Sequence, residues 1–158
     1  MSPALRVERA GLAQLDVAAA LFQAYLRFYG KPVDPARSRA FVEDRLEQRD
    51  SVFLIAWADD GAGASRALGF TQLYPAFASL SLAPNWILND LFVEPDSRGQ
   101  GVATRLMAAA KQLAIHNGAA EIFLQTAKDN EDARSLYEHL GYVRDEDFVV
   151  YTLTLPRD

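Results

Sequence analysis

A loop that contains two glycines joins a strand-like segment to a helix-like segment between Phe92 and Leu106, and this junction limits the possible folds more than any other feature of the sequence. The stretch reads Phe-Val-Glu-Pro-Asp-Ser-Arg-Gly-Gln-Gly-Val-Ala-Thr-Arg-Leu. Backbone N–H groups at the start of a helix have no acceptors within it, and the helix dipole places about half a positive charge there. The sequence therefore predicts a strand–loop–helix unit that binds an anion, such as a phosphate, through its main chain.

The residues of this loop discriminate between the known phosphate-binding motifs. Gly99 and Gly101 lack a β-carbon, so backbone and ligand can come close, and the small Ala103 leaves room for a pyrophosphate. A dinucleotide fingerprint would need a third glycine where Thr104 stands, and a P-loop would need a lysine directly after the second glycine. The run 98–103, Arg-Gly-Gln-Gly-Val-Ala, instead matches the pattern R/Q-x-x-G-x-G/A.

The spacing of apolar residues predicts the order of the other elements. Alternating or β-rich runs predict strands at 5–8, 51–57, 67–74, 86–93, 121–126 and 148–155, and helical spacing predicts helices at 12–29, 36–48, 99–116 and 131–140. The order β α α β β β α β α β indicates an α/β fold with a mixed sheet covered by helices. No repeat, low-complexity tract or linker interrupts the chain, so residues 1–158 are expected to form a single domain.

Composition excludes several classes of protein. The chain of 158 residues has no cysteine, so it can form neither a disulfide nor a thiolate nucleophile, and with two histidines no metal site is expected. Its net charge of -5 disfavours nucleic-acid binding. No stretch approaches the roughly 20 apolar residues that cross a bilayer, so no membrane partner is expected. The N-terminus has no recognisable signal peptide, which favours a cytoplasmic protein.

A second motif lies downstream, in residues 130–142, which read Asn-Glu-Asp-Ala-Arg-Ser-Leu-Tyr-Glu-His-Leu-Gly-Tyr. Together with the glycine loop and the element order, this pattern, N-x-x-A-x-x-L-Y-x-x-x-G-[FY], resembles the GNAT acyltransferase superfamily over nearly the whole chain. The stretch 88–93, Leu-Asn-Asp-Leu-Phe-Val, also resembles the fourth strand in the branch that acetylates diamines, thialysine and related amines. The resemblance implies a largely antiparallel mixed sheet with about four helices, and the activity of an acetyl-CoA-dependent N-acetyltransferase.

In the GNAT family acetyl-CoA is the co-substrate, and it inserts beside the strand that precedes the glycine loop. The resemblance implies that Phe92 and Val93 offer this strand edge to the pantetheine arm. A main-chain N–H near Val93 would then polarise the thioester carbonyl, as an oxyanion-hole donor does. The residues implied in cofactor binding are Phe92, Val93, Arg98, Gly99, Gln100, Gly101, Val102, Ala103, Asn130 and Tyr137.

Tyr137 resembles the tyrosine that protonates the departing thiolate of CoA. A phenol has a reference pKa of about 10, so it is protonated at neutral pH and can donate as negative charge develops on sulfur. Helical spacing allows another interpretation, in which the ring of Tyr137 packs against the sheet. Asn130 resembles the side chain that contacts the pantetheine arm, but it is also placed as a helix N-cap.

The group that takes a proton from the amine is not fixed by the sequence. Diamine-acetylating relatives often have a glutamate where this chain has Asn89, and an amide cannot accept a proton usefully at neutral pH. The adjacent Asp90 is the catalytic candidate, since it can bind the ammonium group or act through water. Glu94 and bulk water are alternative bases, and Asp90 can also serve only as a cap or an ion-pair partner.

The first two predicted helices and their connection are expected to form the amine end of the site. Tyr25, Tyr29 and Asp34 can supply aromatic walls and negative charge for an ammonium group, together with Asn89 and Asp90. The two tyrosines also follow the buried stripe of the first helix, so core packing is an alternative for both.

The leading hypothesis is an N-acetyltransferase that lets a primary amine of a small molecule attack acetyl-CoA directly. Acetylation of proteins or peptides is an alternative that would need an open groove. A non-catalytic module that binds or senses acyl-CoA is the alternative from another class. A homodimer is expected because many members of the family pair through their C-terminal strands.

Overall fold

The structure is a computed structural model that describes residues 4–158 of the chain. Its five-stranded sheet has the order β1-β2-β3-β4-β5, with the first four strands antiparallel and β5 parallel to β4. The strands are β1 Ala4–Arg9, β2 Val52–Asp59, β3 Ser65–Ala78, β4 Ala83–Val93 and β5 Ile122–Phe123. The α-helices are α1 Leu15–Phe28, α2 Pro35–Gln48, α3 Val102–His116 and α4 Glu131–His139. These elements confirm the predicted mixed α/β fold class.

The predicted helix at 99–116 and the predicted strand at 121–126 are both shorter in the structure than expected. The helix expected from residue 99 begins at Val102, because Gly99 and Gly101 have φ angles of 74° and 81°, in the left-handed region that a right-handed helix cannot use. The strand expected at 121–126 is limited to Ile122–Phe123, since only these residues pair with β4.

The predicted last strand at 148–155 is wrong: residues 143–158 contain neither helix nor strand. Seven large hydrophobic residues of this segment, from Val143 to Leu155, are at least 66% exposed. A β-rich composition shows that a segment fits a sheet, but a strand also needs a partner to complete its hydrogen bonds. The prediction failed because β propensity is a local property of the segment, whereas its pairing partner is not specified locally.

The residue contacts divide the chain into two compact units, one ending at Gln125 and the other spanning Thr126–Asp158. The first unit contains the sheet, α1, α2 and α3, and the second contains α4 and the segment that follows it. No helix in residues 4–158 has the length and apolar character needed to span a bilayer. The single domain over residues 1–158 stays a prediction.

The core of the first unit lies between the sheet and the helices α1 and α2. The rings of Phe53 and Phe70 stack with their centroids 4.6 Å apart, and both are almost fully buried. Burying one such side chain stabilises the fold by roughly 1.5–3 kcal/mol. The buried cluster consists of Ala10, Leu15, Ala18, Leu21, Val42, Phe53, Ile55, Phe70 and Phe92. It therefore fixes α1 above the paired strands β3 and β4.

Candidate active site

A β-bulge in β4 sets the direction of its polar side chains. Gln72 of β3 pairs with Asp90, but Leu73 pairs with Leu88, so Asn89 is an extra residue without a partner on β3. Consecutive residues of β3 face opposite sides of the sheet, and paired residues share a face. The bulge therefore turns Asp90 to the face opposite Leu88, although the two are only two positions apart.

Asp90 lies on the face of the sheet that α1 covers, and it is only 5% exposed. Gln72 Nε2 donates to its Oδ2 over 3.1 Å, and Asn89 Nδ2 donates to its Oδ1 over 3.1 Å. A buried carboxylate without donors would be costly, and here each oxygen has one. Asp90 is thus a carboxylate of fixed orientation rather than a mobile surface charge.

Two tyrosines approach this carboxylate from different elements. Burial, followed by the negative charge of Asp90, raises the pKa of Tyr25 on α1 above its ordinary value. The same two causes raise the pKa of Tyr74 on β3 to about 12. Both phenols therefore keep their protons at neutral pH, and neither can act as the base.

Four of the five residues predicted for the amine end lie close together, and one does not join them. Tyr25 packs against Tyr29, with ring centroids 5.0 Å apart, and Asn89 bonds to Asp90. Tyr29 is half exposed at the end of α1. Asp34 instead caps α2, where its Oδ1 accepts a hydrogen bond of 3.1 Å from the backbone N–H of Arg37. The carboxylate of Asp34 thus has a structural partner that the sequence analysis did not foresee.

The other side of β4 is a free edge. The β4–β5 ladder ends at the pair Ile87 and Phe123, and no further strand of residues 4–158 pairs with β4 on that side. The N–H of Glu94 donates to the carbonyl of Leu68 over 2.8 Å, which makes Val93 and Gly69 a pair without mutual hydrogen bonds. The N–H and C=O of Val93 therefore point away from β3, toward the free edge.

The same alternation changes the expected role of Phe92. Its peptide groups face β3, so Phe92 does not offer them to a ligand, whereas Leu91, two positions before Val93, turns its own toward the free edge. Phe92 contributes its ring, which is 4% exposed and belongs to the buried core cluster. Leu91 was not predicted from the sequence, although hydrogen-bonded and non-hydrogen-bonded pairs alternate along antiparallel strands and this alternation could have identified it.

Close contact between β3 and β4 holds this edge in place. A β-carbon on Gly69 would collide with the carbonyl oxygen of Phe92 and would lie 3.0 Å from the Cα of Val93. Only glycine allows the two strands to approach so closely at this pair. The position of the Val93 N–H is therefore fixed by the main chain of the neighbouring strand.

The glycine loop leaves the start of α3 open. Gly101 is the N-cap of the helix, and no side chain caps the first turn. A β-carbon on Gly99 or Gly101 would meet no atom within 4 Å. Gln100 is exposed and bonds to the carbonyl of Asp96, while the buried Val102 anchors the first turn and the half-buried Ala103 follows it. The first-turn N–H groups can therefore donate hydrogen bonds to an anionic group.

Arg98 connects the glycine loop to the edge of β4 and to α1. Its Nε donates to the carbonyl of Val93 over 3.0 Å. Its guanidinium carbon lies 4.6 Å from the centroid of the Phe28 ring and 5.9 Å from that of Phe92. Such contacts hold a cation with roughly 0.5–1 kcal/mol at an exposed site. A positive charge is thus fixed beside the free edge, where it can face a pyrophosphate.

The second unit contains the downstream motif. Asn130 caps α4, with its Oδ1 accepting a hydrogen bond of 3.3 Å from the backbone N–H of Ala133, which leaves its amide nitrogen available as a donor. The Tyr137 side chain is half-buried, and its ring lies 6.0 Å from that of Tyr142. The backbone N–H of Tyr142 donates to the carbonyl of Tyr137 over 2.9 Å. These bonds hold Tyr137 in the last turns of a short, well-capped helix.

A family model and several relatives match this chain. The family model of the Acetyltransferase (GNAT) family matches residues 18–142. The chain belongs to the GNAT acetyltransferase family. This confirms the resemblance found in the sequence, and the relatives of this GNAT protein indicate that it is an N-acetyltransferase enzyme.

Individual relatives of this GNAT enzyme extend the family assignment. The uncharacterized N-acetyltransferase YhfO of Bacillus subtilis is 43% identical over 152 residues, which covers 96% of this chain and 99% of the relative. A crystal structure of a probable acetyltransferase has a TM-score of 0.90 at 43% identity and covers 97% of this chain and 99% of that one. The thialysine N-epsilon-acetyltransferase of Mus musculus is 32% identical over 69 residues, or 44% of this chain and 41% of that relative.

Proposed function

We propose that this GNAT enzyme transfers the acetyl group of acetyl-CoA to a primary amine of a small molecule, by direct attack of the amine on the thioester. The observation that carries the proposal is that β4 presents polar groups on two different surfaces. Leu91 and Val93 turn main-chain groups to a free edge, while Asp90 turns a buried carboxylate to the face under α1. One strand can therefore hold an acyl donor and an amine on two adjoining surfaces.

The glycine loop and the edge of β4 would hold the acyl donor. The uncapped first turn of α3 and the guanidinium of Arg98 provide donors and positive charge for a pyrophosphate. The edge groups of Leu91 and Val93 suit the amides of a pantetheine arm, which would bind as an additional strand. The Val93 N–H would polarise the thioester carbonyl. In hydrolases, removal of such a donor raises the activation free energy by about 3 kcal/mol.

The carboxylate of Asp90 would bind the ammonium group of the amine and receive its proton, directly or through a water molecule. The rings of Tyr25 and Tyr29 would line the approach, since aromatic faces attract cations. The free amine nitrogen then forms a bond to the carbonyl carbon and loses its second proton to water, and the carbon–sulfur bond breaks. Glu94 and bulk water stay as alternative acceptors of the proton.

Tyr137 would protonate the departing thiolate. Its place on the capped helix α4 and its match to the family motif support this role. General acids typically contribute 10²–10⁴-fold to a rate, so Tyr137→Phe should lower kcat by about 10²-fold and leave the affinity for acetyl-CoA unchanged. Steady-state kinetics together with CoA titration measures both quantities, and an unchanged kcat in a variant whose chemical step limits turnover would remove Tyr137 from the mechanism.

A thiol-release assay tests the activity itself. The pure protein is incubated with acetyl-CoA and, separately, with polyamines, thialysine, amino acids, aminoglycosides and peptides, and free CoA is followed over time. Release that depends on a small amine supports the proposal, and release only with peptides would assign the enzyme to protein acetylation. Tight CoA binding without turnover of any acceptor would favour a non-catalytic module. The partial likeness to a thialysine acetyltransferase makes thialysine the first amine to test.

A second copy of the chain is the proposed partner. The seven exposed hydrophobic residues between Val143 and Leu155 form a β-rich segment, and exposure of so many neighbouring apolar side chains is unusual in a monomer. A homodimer would cover them. Light scattering should give twice the mass of the chain, and Val150→Asp should shift it toward the monomer; a wild-type monomer at micromolar concentration would contradict this. The cytoplasmic location stays a prediction from the sequence.

A further inference from the structure

Two polar side chains, Gln72 and Ser51, are buried beneath the site and have no role in the chemistry proposed above. Gln72 is 0% exposed and Ser51 is 7% exposed. Burying an amide without partners costs roughly 1–3 kcal/mol, so a buried glutamine needs a bond at each end. Both ends are bonded here: Ser51 Oγ donates to Gln72 Oε1 over 3.0 Å, and Gln72 Nε2 donates to Asp90 Oδ2 over 3.1 Å.

The carboxylate of Asp90, which can only accept hydrogen bonds, decides which way the amide of Gln72 points. If the amide were reversed, its oxygen would face the carboxylate of Asp90, and two acceptors would oppose each other without a proton between them. The observed order, from hydroxyl to amide to carboxylate, has one donor for each acceptor. Ser51 therefore completes the bonding of the amide at its oxygen, and the nitrogen of Gln72 makes the contact with Asp90.

The main chain of Asp90 is held separately. Thr71 Oγ1 donates to the carbonyl oxygen of Asp90 over 2.7 Å, and Thr71 is 0% exposed. This bond fixes the strand but does not touch the carboxylate. The two neighbouring residues of β3 thus have separable functions, since one holds the backbone of Asp90 and the other holds its side chain.

We propose that Gln72, which Ser51 bonds at its other end, is a positioning residue that holds the Asp90 carboxylate in the geometry that binds the amine. The inference rests on the proposed function, because it is Asp90 that meets the ammonium group. An apolar side chain of similar length would fill the same volume, so packing alone does not require an amide at this position. The bond to the carboxylate is what only the amide supplies.

Two variants of Gln72 separate positioning from packing. Gln72→Met keeps the length and removes both bonds, so the KM for the amine should rise at least tenfold, with CoA affinity within twofold of wild type. Gln72→Glu keeps the shape but places a second carboxylate about 3 Å from Asp90, and two carboxylates so close cannot both be charged. In Gln72→Glu the acidic limb of kcat/KM should therefore move to higher pH by at least one unit. Gln72→Met removes one donor from the carboxylate without adding a charge, so its shift should be smaller.

The pH experiment takes account of the groups around Asp90. Tyr25 from α1 and Tyr74 from β3 are the titratable side chains placed against it in the described structure, and both are protonated across the range from pH 5 to pH 9. Arg45 and Asp50 are the charged groups that act on Tyr74. A shift of the acidic limb in this range thus belongs to the pair of carboxylates.

Thr71→Val is the matched control, because it removes an equally buried bond to the same residue. It should lower the melting temperature and leave the KM for the amine within twofold of wild type. Thialysine and spermidine are the amine probes. A folded Gln72→Met variant with wild-type KM, or a Gln72→Glu variant with an unshifted acidic limb, would overturn the inference while the proposed function stands.

A readout that needs no substrate keeps the inference testable if no amine is turned over. Infrared spectroscopy of protein with ¹³C-labelled aspartate can follow the carboxylate band that disappears in Asp90→Asn. That band should titrate at least one pH unit higher in Gln72→Glu than in wild type. Absence of thiol release with every amine would refute the proposed function, whereas an unshifted band would refute the role of Gln72.

Discussion

The two proposed ligand-binding surfaces of β4 are built from different kinds of chemical group. At the free edge and the glycine loop, the groups that can hold a ligand are backbone N–H and C=O groups, and the first turn of α3 has no side-chain cap. Around Asp90, the groups are side chains that are buried and bonded to one another. The first surface is therefore open for a ligand, whereas the second is already organised by the protein.

This difference suggests that separate groups of the enzyme bind the acyl donor and the amine. Main-chain donors would recognise features common to all CoA thioesters and would tolerate changes of side chain, provided that the backbone keeps its shape. A buried carboxylate with fixed partners is sensitive to single changes, because each lost bond leaves a polar atom without a partner. Acyl-donor binding and amine binding should accordingly respond to different substitutions.

Asp90→Asn should give the largest difference between the effect on the amine and the effect on CoA binding. Hydrogen bonds to charged groups contribute roughly 1.5–3 kcal/mol, so removal of the charge should lower kcat/KM for the amine by about 10- to 100-fold. CoA affinity, measured by calorimetry, should stay within twofold of wild type. A folded variant in which kcat/KM for the amine and CoA affinity fall together would contradict the separation of the two binding surfaces.

Substitutions in the glycine loop should show the reverse pattern. Gly101→Ala forces a β-carbon into the left-handed conformation, which costs roughly 1–2 kcal/mol, and it also places a methyl group at the start of α3. CoA affinity should fall by about tenfold, and the KM for the amine at saturating acetyl-CoA should not change.

Gly118→Ala is the matched control for the glycine loop. Gly118 has a φ of 69° and open space around its β-carbon position, but it follows the other end of α3. It should show a similar loss of melting temperature with normal CoA binding. An equal loss of CoA affinity in both variants would mean that general destabilisation, and not the loop, controls binding.

The two surfaces also differ in how well the sequence predicts them. The glycine loop could be found because Gly99 and Gly101 are required by backbone geometry, and that requirement is visible as residue type and spacing. The cluster around Asp90 depends on the bulge at Asn89 and on pairing with Gln72, which lies 18 positions away in the chain. Such pairing follows from strand register, which the local pattern does not specify.

The chain as a whole shows the same limit to what a local sequence pattern can predict. The order of elements and the fold class followed from periodicity, because α1, α2 and α3 bury apolar stripes that repeat within each segment. The last predicted strand at 148–155 had an equally good local pattern and is not formed. Local composition thus predicts an element where its packing partner belongs to the same fold, and fails where the partner is not specified.

The smallest effect is expected from the alkaline stability of the Asp90 cluster. The pKa of Tyr74 is raised to about 12, against about 10 in an unfolded chain, so the unfolded state loses its proton first as pH rises. Stability should therefore decline between pH 10 and pH 12, and the decline should be less steep in Tyr74→Phe. The difference between the two proteins should be modest, because Tyr74 is only half-buried. Urea unfolding at pH 8, 10 and 11 measures the difference, and parallel declines in both proteins would exclude this contribution.

Amide hydrogen exchange on β4, followed by NMR with and without CoA, tests the central claim most directly. The register turns the N–H groups of Leu91 and Val93 to the free edge and that of Phe92 to β3. CoA should therefore slow exchange at Leu91 and Val93 by at least tenfold, while Phe92, already bonded within the sheet, should change little. Slow exchange at all three residues before CoA is added, or no change at Leu91 and Val93 when CoA is bound, would contradict the account.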